Sequence, residues 1–164
     1  GHHLKHKRNE IIRFLKDISF LVLNDEEAAL LTGIPWKRSR EVFKRLDKWM
    51  PGILAVTSGK DGVTVSDGKN IYRAGIFKEK KLVDRTGAGD AFGSGFVAGL
   101  MKTQKSKLKA RNLKIEDIKY AIRLATANST SVVEKFGATE GTLTASEFKN
   151  PRWKNLKIGI KKLS

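Results

Sequence analysis

Two glycines and an aspartate are the residues whose types and spacing point most directly to chemistry. Gly87 and Gly89 flank Ala88, and Asp90 follows at once, where a strand is expected to end and a helix to begin. Glycines at a helix start leave backbone N–H groups bare, and the helix dipole favours an anion there. Asp90 sets a carboxylate in the first turn beside the same spot. The arrangement reads as a phosphate site with a base at its edge. The same residues also make a tight strand-to-helix turn with a capping acid, and alone they do not separate the two readings.

The elements that must position this turn follow from periodicity and turn residues. Lys7 to Lys16 reads as a helix with Ile11, Ile12, Phe14 and Leu15 apolar. A short strand, Ser19 to Leu23, leads into a helix from Asn24 to Leu31 that Gly33 and Pro35 end. Asn24 with Glu27 three residues on is a capping box. A third helix runs from Ser39 to Met50, and Pro51-Gly52 closes it. Ile53 to Thr57 is continuously apolar up to its last residue, the pattern of a strand covered on both faces. Ser58 to Gly62 is a glycine-rich loop, and Asp67-Gly68-Lys69 joins two short strands as a hairpin. A further strand is expected near Lys81-Leu82-Val83. The helix from Ala88 to Lys102 carries Gly93, Gly95, Ala98 and Gly99. Glycine weakens a helix, so another backbone is expected to approach closely. A long helix from Ile115 or Glu116 to Glu134, a loop from Phe136 to Gly141 and a tail bearing Phe148, Trp153, Leu156 and Ile158 complete the chain.

Strands alternating with helices imply an α/β class with a mainly parallel sheet flanked by helices. In such sheets ligands sit beyond the carboxyl ends of strands. Asn24, the Ser58–Gly62 loop and the Asp84–Asp90 turn all fall at expected strand ends, so parallel neighbours would bring them together.

The composition narrows the partners. At 164 residues the chain makes one ordinary domain. It has no cysteine, which excludes disulfides and thiolate metal sites, and no apolar run of bilayer length. The expectation is a cytoplasmic protein with no membrane partner. Lys and Arg number 33 against 17 Asp and Glu, a net charge of +16. Such an excess draws in anions. The cations are dispersed, however, and the densest run, Lys102 to Arg111, has no aromatic residue for base stacking. A solvated basic surface is the favoured reading over nucleic acid. The chain opens Gly1-His2-His3, expected as a tag remnant or a cut in a longer chain.

Three segments, in order, resemble the C-terminal, nucleotide-binding half of the PfkB/ribokinase family of sugar kinases. Asn24-Asp25-Glu26-Glu27 is similar to the family's Asn-x-x-Glu element, and Thr57-Ser58-Gly59-Lys60-Asp61-Gly62 to its Thr-x-Gly-x-x-Gly loop. Asp84-Arg85-Thr86-Gly87-Ala88-Gly89-Asp90 is close to its Asp-Thr-Thr-Gly-Ala-Gly-Asp signature. The resemblance implies a ribokinase-like fold over residues 1–164, present as an incomplete C-terminal half. It implies transfer of the ATP γ-phosphate to a sugar hydroxyl, with Asp90 as base and Gly87, Ala88 and Gly89 as anion hole. Thr57, Gly59, Gly62, Asn128 and Gly137 would contact the nucleotide. Asn24 and Glu27 match positions for Mg²⁺ and phosphate placement. Asp84, Thr86 and backbone near Gly137 match those around a monovalent cation such as K⁺.

Arg85 stands where the signature usually has Thr, and the family's Gly-Gly signature, sugar contacts and lid have no counterpart here. The implied partners are a nucleotide, a sugar or sugar-like alcohol, and the missing N-terminal half or a homodimer mate. The alternatives are a non-catalytic fragment and a basic module that binds nucleotide or nucleic acid.

Overall fold

The computed structural model describes residues 7–103 and 113–163. The histidines of the first six residues and most of the basic run after Lys102 lie outside the described residues. The chain forms two compact units, one of residues up to Gly59 with Val63–Arg73 and those from Gly159, the other of Lys60–Gly62 with Ala74–Ile158.

The first unit is a sheet with helices. Its elements are α1 (Arg8–Leu15), β1 (Phe20–Asn24), α2 (Asp25–Thr32), α3 (Ser39–Trp49), β2 (Ile53–Thr57), β3 (Val63–Ser66), β4 (Asn70–Ala74) and β5 (Ile158–Lys162), and the strands follow one another in that order across the sheet. β1 and β2 are parallel, with Asn24 opposite Thr57. β2 and β3 are antiparallel, Thr57 opposite Val63. Of these two pairings, only β1–β2 has the expected parallel direction. The Ser58–Gly62 connection is too short for the crossover a parallel partner requires, so the chain folds straight back.

Apolar spacing builds the core of this unit. Val42, Phe43 and Leu46 lie on one face of α3 and are no more than 1% exposed. They pack with Leu15, Leu31, Leu54 and Val56. Gly33 ends α2 in the left-handed region at φ 71°, donating to the Ala29 carbonyl. The last carbonyls of α2 face two arginines: Arg8 Nε donates to Leu31 O at 2.7 Å, and Arg45 Nη1 to Thr32 O at 2.9 Å. Cations there complement the helix dipole and satisfy acceptors the helix itself leaves open. At the hairpin tip the Asp67 carboxylate accepts the Lys69 and Asn70 N–H groups at 2.8 and 2.6 Å and the Tyr72 hydroxyl at 2.8 Å.

The second unit centres on two helices, α4 (Ala88–Thr103) and α5 (Ile115–Val133). A Cβ added at Gly99 would sit 2.6 Å from Ala121 Cα, and one at Gly95 would sit 3.0 Å from Ala125 Cα. The glycines therefore serve the close backbone approach expected of them. Phe77, Ala127, Phe148 and Trp153 form a small core beside these helices. Lys81–Val83 is not a strand. Leu82 and Val83 are 44% and 41% exposed, and the Val83 and Asp84 N–H groups both donate to the single carbonyl of Val133. Two donors on one acceptor at a helix end leave no ladder for a strand to continue. Among the described residues no helix is long and apolar enough to cross a membrane.

One buried acid in the first unit makes a pH test. Asp47 on α3 accepts from the Ser66 hydroxyl at 2.7 Å, while its Oδ1 has no hydrogen-bond partner among the described residues. Burial pushes its carboxyl up to about 6, against the Ser66 hydrogen bond and with help from Asp67. The folded chain thus holds this proton more tightly than the unfolded chain does. The resulting cost is absent at pH 3, grows as pH rises toward 6 and is complete above it, at about 2–3 kcal/mol. Asp47→Asn should therefore gain thermal stability relative to wild type as pH is raised from 4 to 7. A pH-independent difference between the two melting curves would contradict this assignment.

Candidate functional site

The predicted site residues fall into two groups, one in each unit. In the first unit, Asn24 ends β1 and caps α2. Its Oδ1 accepts the Glu27 N–H at 2.7 Å, and Glu27 Oε2 accepts the Asn24 N–H at 2.9 Å. The capping box is closed, so both side chains have local work. A carboxylate has about four lone-pair sites, and Glu27 keeps capacity for a further partner. The register sets Thr57 beside Asn24, and the Thr57 hydroxyl reaches toward Leu23 O at 3.4 Å. The β1 and β2 exits thus lie side by side. Gly59 begins a 3₁₀ turn, Gly59–Asp61, at φ 51°.

Gly62 and the remaining residues belong to the second unit. Gly62 has φ 88°, and a Cβ there would lie 2.7 Å from Gly75 Cα. Around the signature, hydrogen bonds fix part of the backbone. Asp84 Oδ1 accepts the Thr86 N–H at 2.9 Å, and its Oδ2 faces the Gly137 N–H at 3.4 Å. The Thr86 N–H above all, with the Thr86 side chain and Gly137, holds the Asp84 carboxyl below the usual carboxylate range. The Ala88 N–H closes the turn on Arg85 O at 3.3 Å, and the Ala91 N–H opens the helix on Gly87 O at 2.8 Å.

Gly87 and Gly89 differ in what surrounds them. Gly87 is left-handed at φ 77°, and a Cβ there would strike the Ala138 backbone, 2.7 Å from its Cα. Gly89 has open space where its Cβ would be. The first N–H groups of a helix lack intrahelical acceptors, so the turn presents donors to an open side. Asp90 is exposed there and makes no hydrogen bond or ion pair with any described residue. Arg85 is exposed in the same turn.

Asn128 is only 4% exposed. Its Nδ2 donates to Ala91 O at 2.8 Å, and its Oδ1 accepts the Leu143 N–H at 2.8 Å. The amide ties the first turn of α4 to the chain beyond the Phe136–Gly141 loop. Ser129, which sequence reasoning passed over, donates to Ala88 O at 3.0 Å. Its position next to Asn128 on the long helix was the available signal. Among the described residues no three His, Cys, Asp or Glu side chains gather to hold a metal.

The geometry is that of a glycine-lined helix start, open on one side, with an exposed carboxylate in its first turn. The model of the pfkB family carbohydrate kinases matches residues 3–145, and the chain belongs to that family. The ribokinase of Lactococcus lactis subsp. lactis is 38% identical over 153 residues, which cover 93% of this chain and 44% of that protein. A probable sugar kinase from Rhizobium etli superposes with a TM-score of 0.75 at 22% identity, over 92% of this chain and 42% of that one. A fructokinase double mutant from Vibrio cholerae, in its fructose-, ADP- and potassium-bound form, superposes with a TM-score of 0.67 at 21% identity, over 85% of this chain and 42% of that one. The fold is ribokinase-like, and the chain spans less than half the length of these relatives.

The two glycines separate in a stability test. Gly87→Ala meets both the left-handed backbone and Ala138, and should cost about 1–3 kcal/mol or more. Gly89→Ala meets neither, and adds a better helix former. Denaturant unfolding should show a clear loss for the first and little change for the second. Equal effects would contradict the assigned surroundings.

Proposed function

We propose that this chain is the nucleotide-binding part of an ATP-dependent carbohydrate kinase. The observation that supports it most is the first turn of α4, where open backbone donors lie beside an exposed, unpaired Asp90. The donor substrate is ATP, and a cytoplasmic setting suits it. The acceptor is a sugar or a sugar-like alcohol.

In the proposed reaction the acceptor hydroxyl attacks the γ-phosphorus. The new bond is from that hydroxyl oxygen to phosphorus, and the bond from phosphorus to the bridging oxygen of ADP breaks. Asp90 takes the hydroxyl proton. An ordinary carboxylate suffices for this, provided it is ionised and within hydrogen-bond reach. The Gly87 and Gly89 amides face the charge that spreads over the transferred phosphoryl oxygens, joined by the Ala88 amide once it gives up its long 3.3 Å bond to Arg85 O. Thr57, Gly59 and Gly62 line the nucleotide's phosphates or ribose. Asn128 and Gly137 serve the adenine side, Asn128 by holding the Leu143 backbone and Gly137 through its place on the neighbouring loop.

Magnesium neutralises phosphate charge in such transfers and commonly keeps several of its waters. Asn24 and Glu27 would hold it through water, since each already bonds the other's backbone N–H. Asp84 retains oxygen lone pairs beyond its two N–H partners. It would hold a monovalent cation such as K⁺ with Thr86 and the Gly137 backbone. Arg85 adds a permanent positive charge to the same turn.

Two measurements test this reading. Calorimetric titration should show binding of Mg-ATP and Mg-ADP; no heat and no thermal stabilisation would overturn it. In the complete protein, Asp90→Asn should abolish sugar phosphorylation, a loss of about 10²–10⁴-fold or more, while leaving nucleotide affinity near wild type. Retained turnover would remove Asp90 from the role of base.

A further inference from the structure

Residues 78–84 carry the chain into the Asp84–Asp90 turn with no helix or strand of their own. What holds them comes from the end of α5 and from Arg152. Val133 O accepts the Val83 and Asp84 N–H groups at 2.9 and 3.2 Å. One residue on, Glu134 Oε1 accepts the Lys80 N–H at 2.7 Å. Arg152 closes the arrangement. Its Nη1 donates to Glu134 Oε2 at 2.9 Å, and its Nη2 donates both to Glu134 Oε1 and to Lys78 O, the latter at 2.8 Å.

The guanidinium also lies 4.2 Å from the centre of the Trp153 ring, and that ring meets Phe77 edge-on at 5.1 Å. The Arg152 and Glu134 side chains are 22% and 12% exposed. Burial alone would raise the Glu134 carboxyl, but the Arg152 fork and the Lys80 N–H outweigh it and hold it below the usual range. A sheltered two-pronged pair of this kind is stronger and more directional than a surface ion pair.

We propose that Glu134 and Arg152 are positioning residues for the phosphoryl-transfer turn: their pair fixes residues 78–80, and so the approach of Asp84 to Val133 and Gly137. The proposal rests on the reading of that turn as the nucleotide site. Neither residue belongs to the Asp84–Asp90 stretch. Their effect runs through geometry, because donors stabilise developing charge only when they are already in place.

The test uses the full-length protein and the variants Glu134→Gln, Arg152→Gln, the double variant and Arg152→Lys. Amide hydrogen exchange is read on peptides spanning 78–90 and 115–131, beside Mg-ATP affinity. Loss of a charge-assisted bond corresponds to about tenfold or more. Each glutamine variant should therefore speed exchange across 78–90 by about tenfold while α5 keeps its protection, and should weaken Mg-ATP several-fold. The double variant should be no worse than the poorer single one, and Arg152→Lys, which keeps the charge but loses the fork, should fall between. Unchanged exchange across 78–90, or acceleration equal to that of α5, would overturn the proposal. If the glutamine variants do not fold, the same comparison on Arg152→Lys decides it. Wild type that binds no Mg-ATP would overturn the nucleotide reading alone, because the exchange measurement still reports on the pair.

Discussion

The closeness of α4 and α5 governs the second unit. Gly99 and Gly95 let the two helices approach until backbone meets backbone at Ala121 and Ala125. Only at that separation does Asn128 span from Ala91 O to the Leu143 N–H. The same approach brings Ser129 to Ala88 O and the Ala138 backbone against Gly87. Four glycines in α4 are a poor choice for an isolated helix. They make sense as the condition for a helix start whose turn is bonded on its inner side and open on its outer side.

That division of labour separates residues that look alike in the sequence. Gly87 and Gly89 look equivalent in the sequence, but one is a backbone contact and the other an opening. Asp84 faces inward to its own turn and to Gly137, whereas Asp90, six residues later, has no protein partner among the described residues. A chain that spans less than half the length of its relatives can still form this turn, because its anchors all lie between Lys78 and Arg152. The sugar belongs to the proposal and not to the family assignment.

Much of this was legible in the sequence, and the exceptions have physical causes. The helices, the apolar β2 strand, the hairpin at Gly68 and the close approach at Gly95 and Gly99 follow from periodicity, turn chemistry and glycine placement. The apolar run in β2 reports burial on two faces and carries no information about the direction of β3, which runs antiparallel to it. The Lys81–Val83 segment reads as a strand from Leu82 and Val83, yet its backbone is held by one carbonyl at a helix end. Hydrogen bonding of that kind leaves no period in a sequence. Glu134 and Arg152, 18 residues apart, were invisible for the same reason. The capping box of Asn24 and Glu27 was legible as local structure, and no residue pattern alone tells whether such a pair also serves a metal.

The proposed site sets an anionic nucleotide phosphate at the α4 start. Backbone amide resonances followed during titration with Mg-ADP report on it residue by residue. Gly87, Ala88, Gly89 and Asp90 should show the largest amide shifts and saturate together. Shifts confined to the dispersed lysines and arginines, with those four amides unmoved at saturation, would contradict it.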